Sequence, residues 1–149
     1  MFNNKKGFTL IELLVVIAVI GILSTVVLVS LSGVREDARD SRRMNDMSQI
    51  NLAMEMYNTS IGSYPTMSAG TNTVTSITPY LVVVPTDPTS VSPYFYTWLA
   101  GTGSSYCVYA RLEGTATTTY YCASNKGVAS EATGTVPVPT DCCNMNTTI

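Results

Sequence analysis

The chain starts polar and basic and then loses its polarity. Between Leu13 and Leu31 no residue is charged, and only Gly21, Ser24, Thr25 and Ser30 interrupt the apolar side chains. As a helix this run would extend roughly 28 Å, close to the hydrocarbon thickness of a bilayer. It exceeds the apolar region of about 7–15 residues in a secretory signal peptide, and the residues after Leu31 read as more helix. From Val34 the pattern becomes one-sided. Met47, Ile50, Met54, Tyr57 and Ile61 recur at steps of three and four, with Ala38 and Ala53 near the same stripe. Charged residues crowd Arg35 to Asp46, and Glu36–Arg39 and Asp40–Arg43 sit at the i,i+3 spacing that lets side chains meet, on a surface that reads as solvated or subunit-facing. Asn58, Gly62 and Pro65 stop the pattern. The spacing predicts one helix over about residues 8–60, about 80 Å long, apolar all round in its first half and striped in its second.

After Pro65 the period changes. Thr66 to Pro79 is a polar connector, Tyr80 to Val84 a short apolar segment, and Pro85-Thr86-Asp87-Pro88 a turn. Tyr94–Leu99, Tyr106–Glu113 and Thr118–Ser124 read as strands joined by turns, which predicts a three-stranded antiparallel meander packed on the helix stripe, an α+β fold. With Gly114 and Thr115 central in the second connection, Cys107 falls opposite Cys122, and a Cys107–Cys122 disulfide is predicted. Cys142 and Cys143 are then left to each other, to another chain or to the sheet, because four cysteines allow three connectivities. The organisation read from these shifts is a leader (1–7), an apolar half-helix (8–33), an amphipathic half-helix (34–62), a small head (63–128) and a Thr/Pro/Gly-rich tail with two cysteines (129–149).

Composition narrows the chemistry. Charged residues make up 12% of the 149, about half the usual share for a soluble domain, and the net charge is −2. No basic surface recommends a nucleic-acid partner. There is no histidine, which removes the commonest general base and the commonest transition-metal ligand, and the acids are scattered singly. No enzyme and no cofactor are expected. Asp87 is a weak metal candidate, since hard cations want about six oxygens. Four cysteines in a small Ser/Thr-rich region suit an oxidising compartment.

One carboxylate, Glu12, stands at the edge of the apolar run, where a charge at bilayer depth needs a partner. Either it reaches headgroup water, with Lys5 and Lys6 a turn or two away, or a cation comes to it. A cut between Gly7 and Phe8 would create an α-amine four residues before Glu12, on the same helix face. The stretch Lys5-Lys6-Gly7-Phe8-Thr9-Leu10-Ile11-Glu12-Leu13-Leu14-Val15-Val16-Ile17 resembles the prepilin signal of bacterial type IV pilins and type II secretion pseudopilins, and the likeness covers residues 5 to 31. The resemblance implies a ladle-shaped fold, anchoring of the leader by Lys5 and Lys6, cleavage after Gly7 by a prepilin peptidase, and N-methylation of Phe8. It implies pairing of Glu12 with the Phe8 amine of a neighbouring subunit.

By the same resemblance the partners are membrane lipid before assembly, copies of the chain in a helical filament, minor pilins, and an inner-membrane assembly platform with its ATPase. The expected course is from the inner membrane, head outside the cytoplasm, to a surface pilus or a periplasmic pseudopilus. A pilus subunit is the leading expectation, a secretion pseudopilin the alternative, and a competence pilin for DNA uptake a third. The sequence departs from many major pilins in having Val29 where they carry a proline beyond Gly21.

Overall fold

The computed structural model describes residues 7–131, 136, 137 and 142. Among these residues one helix, α1 (Leu10–Ile61), precedes five strands: β1 (Gly70–Thr71), β2 (Thr97–Thr102), β3 (Ser105–Arg111), β4 (Tyr120–Ser124) and β5 (Gly127–Glu131). The chain divides between Arg35 and Glu36 into two compact units, and α1 contributes to both.

In the N-terminal unit, Leu10–Val27 has a mean hydropathy of 2.8 and none of it is buried. It is long and apolar enough to cross a membrane. Leu10 is 87% exposed and Leu14 63%. The polar interruptions are satisfied locally. Ser24 Oγ donates to the Ile20 carbonyl at 2.7 Å, and Thr25 Oγ1 to the carbonyls of Gly21 and Ile22 at 3.0 and 2.8 Å. Such back-bonding lets hydroxyls sit in an apolar run without an unpaired donor.

In the second unit the helix has one buried stripe. Met47, Ile50, Ala53 and Met54 pack with Trp98, Tyr106, Val108, Ala110 and Ala123 in one core. Tyr57 is only partly buried, and Ile61 and Ala38 are exposed, so the predicted stripe is too long at its far end. The helix stops where the chain turns left-handed. Gly62 has φ +82° and donates its N–H to the Asn58 carbonyl at 2.7 Å, the closing bond of a glycine C-cap.

The sheet is antiparallel throughout, in the order β1-β2-β3-β4-β5, with five strands rather than the three predicted. β1 has two residues, too few to leave a periodic signature, and β5 straddles the predicted boundary between head and tail. Gly101 belongs to β2, beside a register shift, where a Cβ would stand 3.0 Å from the Ser105 carbonyl. The short run Tyr80–Val84 is not a strand. It closes a turn through reciprocal bonds between Ile77 and Leu81, with Val84 buried and Val82 and Val83 exposed.

Both faces of the sheet are covered. Trp98, Val108 and Ala123 align on the helix side, while Leu99, Cys107, Tyr109, Tyr120 and Cys122 form a second cluster with Cys142. The Cys107–Cys122 pairing is overturned: Cys107 is bonded to Cys142, with Cα atoms 5.8 Å apart. The register explains why. Cys107 faces Ser124 and Cys122 faces Tyr109. The connection is centred one position later than Gly114 and Thr115, which slides the partner strand by two residues. A slip of two keeps both cysteines on one face but makes them diagonal neighbours, beyond easy bridging distance. Cys122 is itself disulfide-bonded, and Cys143 lies outside the described residues.

Candidate functional site

Two carboxylate sites carry the chemistry. The first is at the start of α1. Thr9 caps the helix and Glu12 occupies its third position. The Thr9 N–H donates to Glu12 Oε2 at 2.9 Å, the Thr9 hydroxyl to the same oxygen at 2.7 Å, and the Glu12 N–H to Thr9 Oγ1 at 3.3 Å. This reciprocal arrangement is a capping box. It satisfies two orphan donors of the helix end and places the negative charge where the helix dipole favours it. Among the described residues Glu12 Oε1 accepts no hydrogen bond and no cation pairs with the group. Gly7 and Phe8 precede the cap in non-helical backbone. Phe8 is 76% exposed, and nothing lies within 4 Å of a Cβ placed on Gly7. Lys5 and Lys6 lie outside the described residues.

The second site lies in the charged stretch that reads as solvated surface, yet it is buried. Arg43, fully shielded from solvent, donates through Nε and Nη2 to Asp87 Oδ2 and Oδ1 at 2.6 and 2.9 Å. Its Nη1 donates to Asp40 Oδ1 at 2.7 Å and pairs with Glu113 Oε1 at 2.6 Å. The guanidinium carbon stands 5.0 Å from the Tyr94 ring centroid. Asp40 in turn accepts the backbone N–H groups of Glu113 and Gly114 at 2.9 and 2.8 Å, and Glu113 is bonded by Arg39. Gly114 fits because a Cβ there would lie 2.9 Å from Asp37 Oδ1. One turn of helix thus pins both the Asp87 turn and the β3–β4 connection.

Asp87 shapes its own turn as well. Its Oδ1 accepts the Thr89 N–H at 2.9 Å and hydroxyl at 2.7 Å, and Ser90 comes next with φ +48°. The cation this carboxylate takes is the guanidinium. Both its oxygens are engaged, and the described residues hold no group of three or more Asp, Glu, Cys or His arranged for a metal ion.

Electrostatics derive from these contacts. Burial alone would raise the Asp87 carboxyl, but the bonds from Arg43 and Thr89 outweigh it and hold the group below its ordinary value. Glu113 is lowered by Arg39 first, against some desolvation, with Arg43 adding to it. Burial disfavours the Arg43 charge, yet its three carboxylate partners leave it more basic than a free arginine. Tyr96 is raised by burial and by its 2.7 Å bond to Asp46.

The expected Asp40–Arg43 pair forms. Arg39, however, reaches Glu113, distant in sequence, rather than Glu36. A signal for this site exists in the sequence. Arg43 and Asp40 continue the stripe of Met47 and Ile50 at the same steps of three and four, so the apolar face extends into a charged but equally buried turn.

Comparison with known proteins bears on the segment that holds the first site. A family described as "Prokaryotic N-terminal methylation motif" matches residues 2–28. The N-terminus is of the prepilin type. The chain is 33% identical over 92 residues to type II secretion system core protein G of Escherichia coli, covering 62% of this chain and 59% of that protein. It is 34% identical over 86 residues to core protein G of Vibrio cholerae, covering 58% and 54%. It is also 40% identical over 67 residues to the type IV wide pilus major component PilA4 of Thermus thermophilus, covering 45% and 51%. The chain thus spans between half and three-fifths of the length of these relatives. The chain is thus similar both to secretion and to pilus proteins.

Proposed function

We propose that this protein is a pilin-like filament subunit that is anchored in the membrane by Leu10–Val27, trimmed between Gly7 and Phe8 by a prepilin peptidase, methylated at Phe8, and polymerised through its N-terminal helix. The observation that carries the reading is that segment itself: eighteen apolar-rich residues, none buried, headed by a carboxylate. A side chain set this apolar needs lipid or sister helices around it. Thr9 satisfies one oxygen of Glu12, and the other is open to the Phe8 amine of the next subunit. The role is structural, with no catalytic group assigned; the absence of histidine supports that.

Between the two filament types, the secretion pseudopilin is favoured over the surface pilus expected first, because the longer matches are to core protein G. The pilus reading keeps one support, the identity to the Thermus pilus component. Lipid before assembly, minor pilins and an ATPase-driven platform complete the proposed partners, with the head outside the cytoplasm.

The test is filament assembly by a Glu12→Gln variant in the native host. The variant should be trimmed but should fail to polymerise, and normal polymerisation would sink the proposal. Deleting the gene separates the filament types, because loss of protein secretion with surface fibres intact marks the pseudopilin.

A further inference from the structure

An open hollow on the head, distant in sequence from both carboxylate sites, is lined by uncharged side chains, many of them hydroxyl-bearing. It encloses about 450 Å³ between residues 65–68 and 73–78, with Tyr57 of α1 at its edge. That volume falls within the range of small-molecule sites, roughly 300–1,000 Å³. Thr66, Ser68, Thr75, Ser76 and Thr78 place hydroxyls around it, and among the described residues these five hydroxyls have no hydrogen-bond partner within the protein. The half-buried Val74 and Tyr57 and the nearly buried Met67 and Ile77 complete the lining. No lining residue carries a charge.

Each feature restricts the ligand. Without a charged side chain, the hollow offers an ion only neutral dipoles, which compensate its lost hydration less well than a counter-charge does. Hydroxyls both donate and accept, so a ring of them matches a ligand whose own groups do the same. The apolar patches and the aromatic ring match the C–H faces of such a ligand. We propose that this hollow is a binding site for a neutral carbohydrate of about two sugar units. This goes beyond the filament reading and does not depend on it.

The experiment uses the full chain in phosphocholine micelles, whose headgroups carry no sugar. Amide NMR shifts would be followed during titration with maltose, cellobiose and N,N′-diacetylchitobiose, with glucose 6-phosphate as the charged comparator. At least one neutral disaccharide should bind with a Kd in the millimolar range, roughly −4 kcal/mol, with shifts centred on residues 57, 65–68 and 73–78. The combined Thr75→Val and Ser76→Ala variant, altered only at exposed side chains, should bind at least about tenfold more weakly, a loss of roughly 1.4 kcal/mol, with an unchanged spectrum elsewhere. No shift from any neutral disaccharide up to about 50 mM, undiminished binding by the variant, or equal binding of glucose 6-phosphate would overturn the proposal.

Discussion

Arg43 ties three segments of the head together, because it pairs with Asp40 on its own helix and with Asp87 and Glu113 from two separate connections. Replacing it with methionine preserves much of the volume but strands Asp87 without its cation, and leaves Glu113 with Arg39 alone and Asp40 with only its backbone N–H bonds. Removing one partner of a buried ion pair costs about 3–5 kcal/mol, and a loss of that size should appear in urea unfolding of Arg43→Met. Arg43→Lys should recover only part, since an ammonium cannot make the two-point bond to Asp87. The pH dependence has its origin in the same contacts. Asp87 and Glu113 are lowered in the folded state. Their contribution is therefore complete above the ordinary carboxylate range, about 4, and is lost as pH falls through their folded values. The melting temperature should drop steeply below about pH 4, and Asp87→Asn should be less stable at pH 7 with a shallower acid limb. Residue by residue, the sequence shows which side chains are charged. Beyond the stripe that Asp40 and Arg43 continue, it does not show which partners meet, because those of Arg43 lie in loops some 45 and 70 positions downstream.

At the scale of elements, local signals are the reliable ones. The start and stop of α1 are each set within five residues, by the Thr9–Glu12 box, which the structure reveals, and by Gly62, which the pattern already marked as a stop. Strands β2, β3 and β4 alternate well enough to be found. β1 and β5 gain their extended shape from backbone pairing to a neighbour, for which a short strand leaves no apolar period. Register is the least legible, since moving the centre of one loop by one residue moves every β3–β4 partner by two. The consequence is a disulfide between β3 and the tail, spanning 35 residues, instead of one within the sheet. In the chain-entropy account a loop of that length contributes about 4 kcal/mol. Cys142→Ser should therefore lower the stability of the oxidised protein by roughly that amount and expose the outer cluster around Tyr109 and Tyr120. Calorimetry beside proteolysis of the C-terminal residues would read both effects.

For the molecule as a whole, the two units have opposite relations to solvent. Glu36 onwards builds a core with both faces of its sheet covered. Leu10 to Val27 builds none and leaves its apolar side chains open. Such a chain is incomplete until lipid or other helices surround that segment, which is why the filament reading rests on burial and not only on likeness. Intact mass of protein extracted from membranes checks the processing directly. Loss of residues 1–7 with the gain of one methyl group is expected, together with a deficit of four hydrogens for two disulfides among the four cysteines.

By itself the sequence determined what depends on near neighbours: the reach of α1, its stop at Gly62, the uncovered apolar segment and the prepilin-type N-terminus. Helical periodicity and caps are written within a few residues, and so they can be read there. The tertiary structure alone decided the buried Arg43 cluster, the two extra strands and the Cys107–Cys142 bond. Each joins residues far apart in the chain, and which partners meet is settled by loop length, strand register and the packing of both sheet faces together.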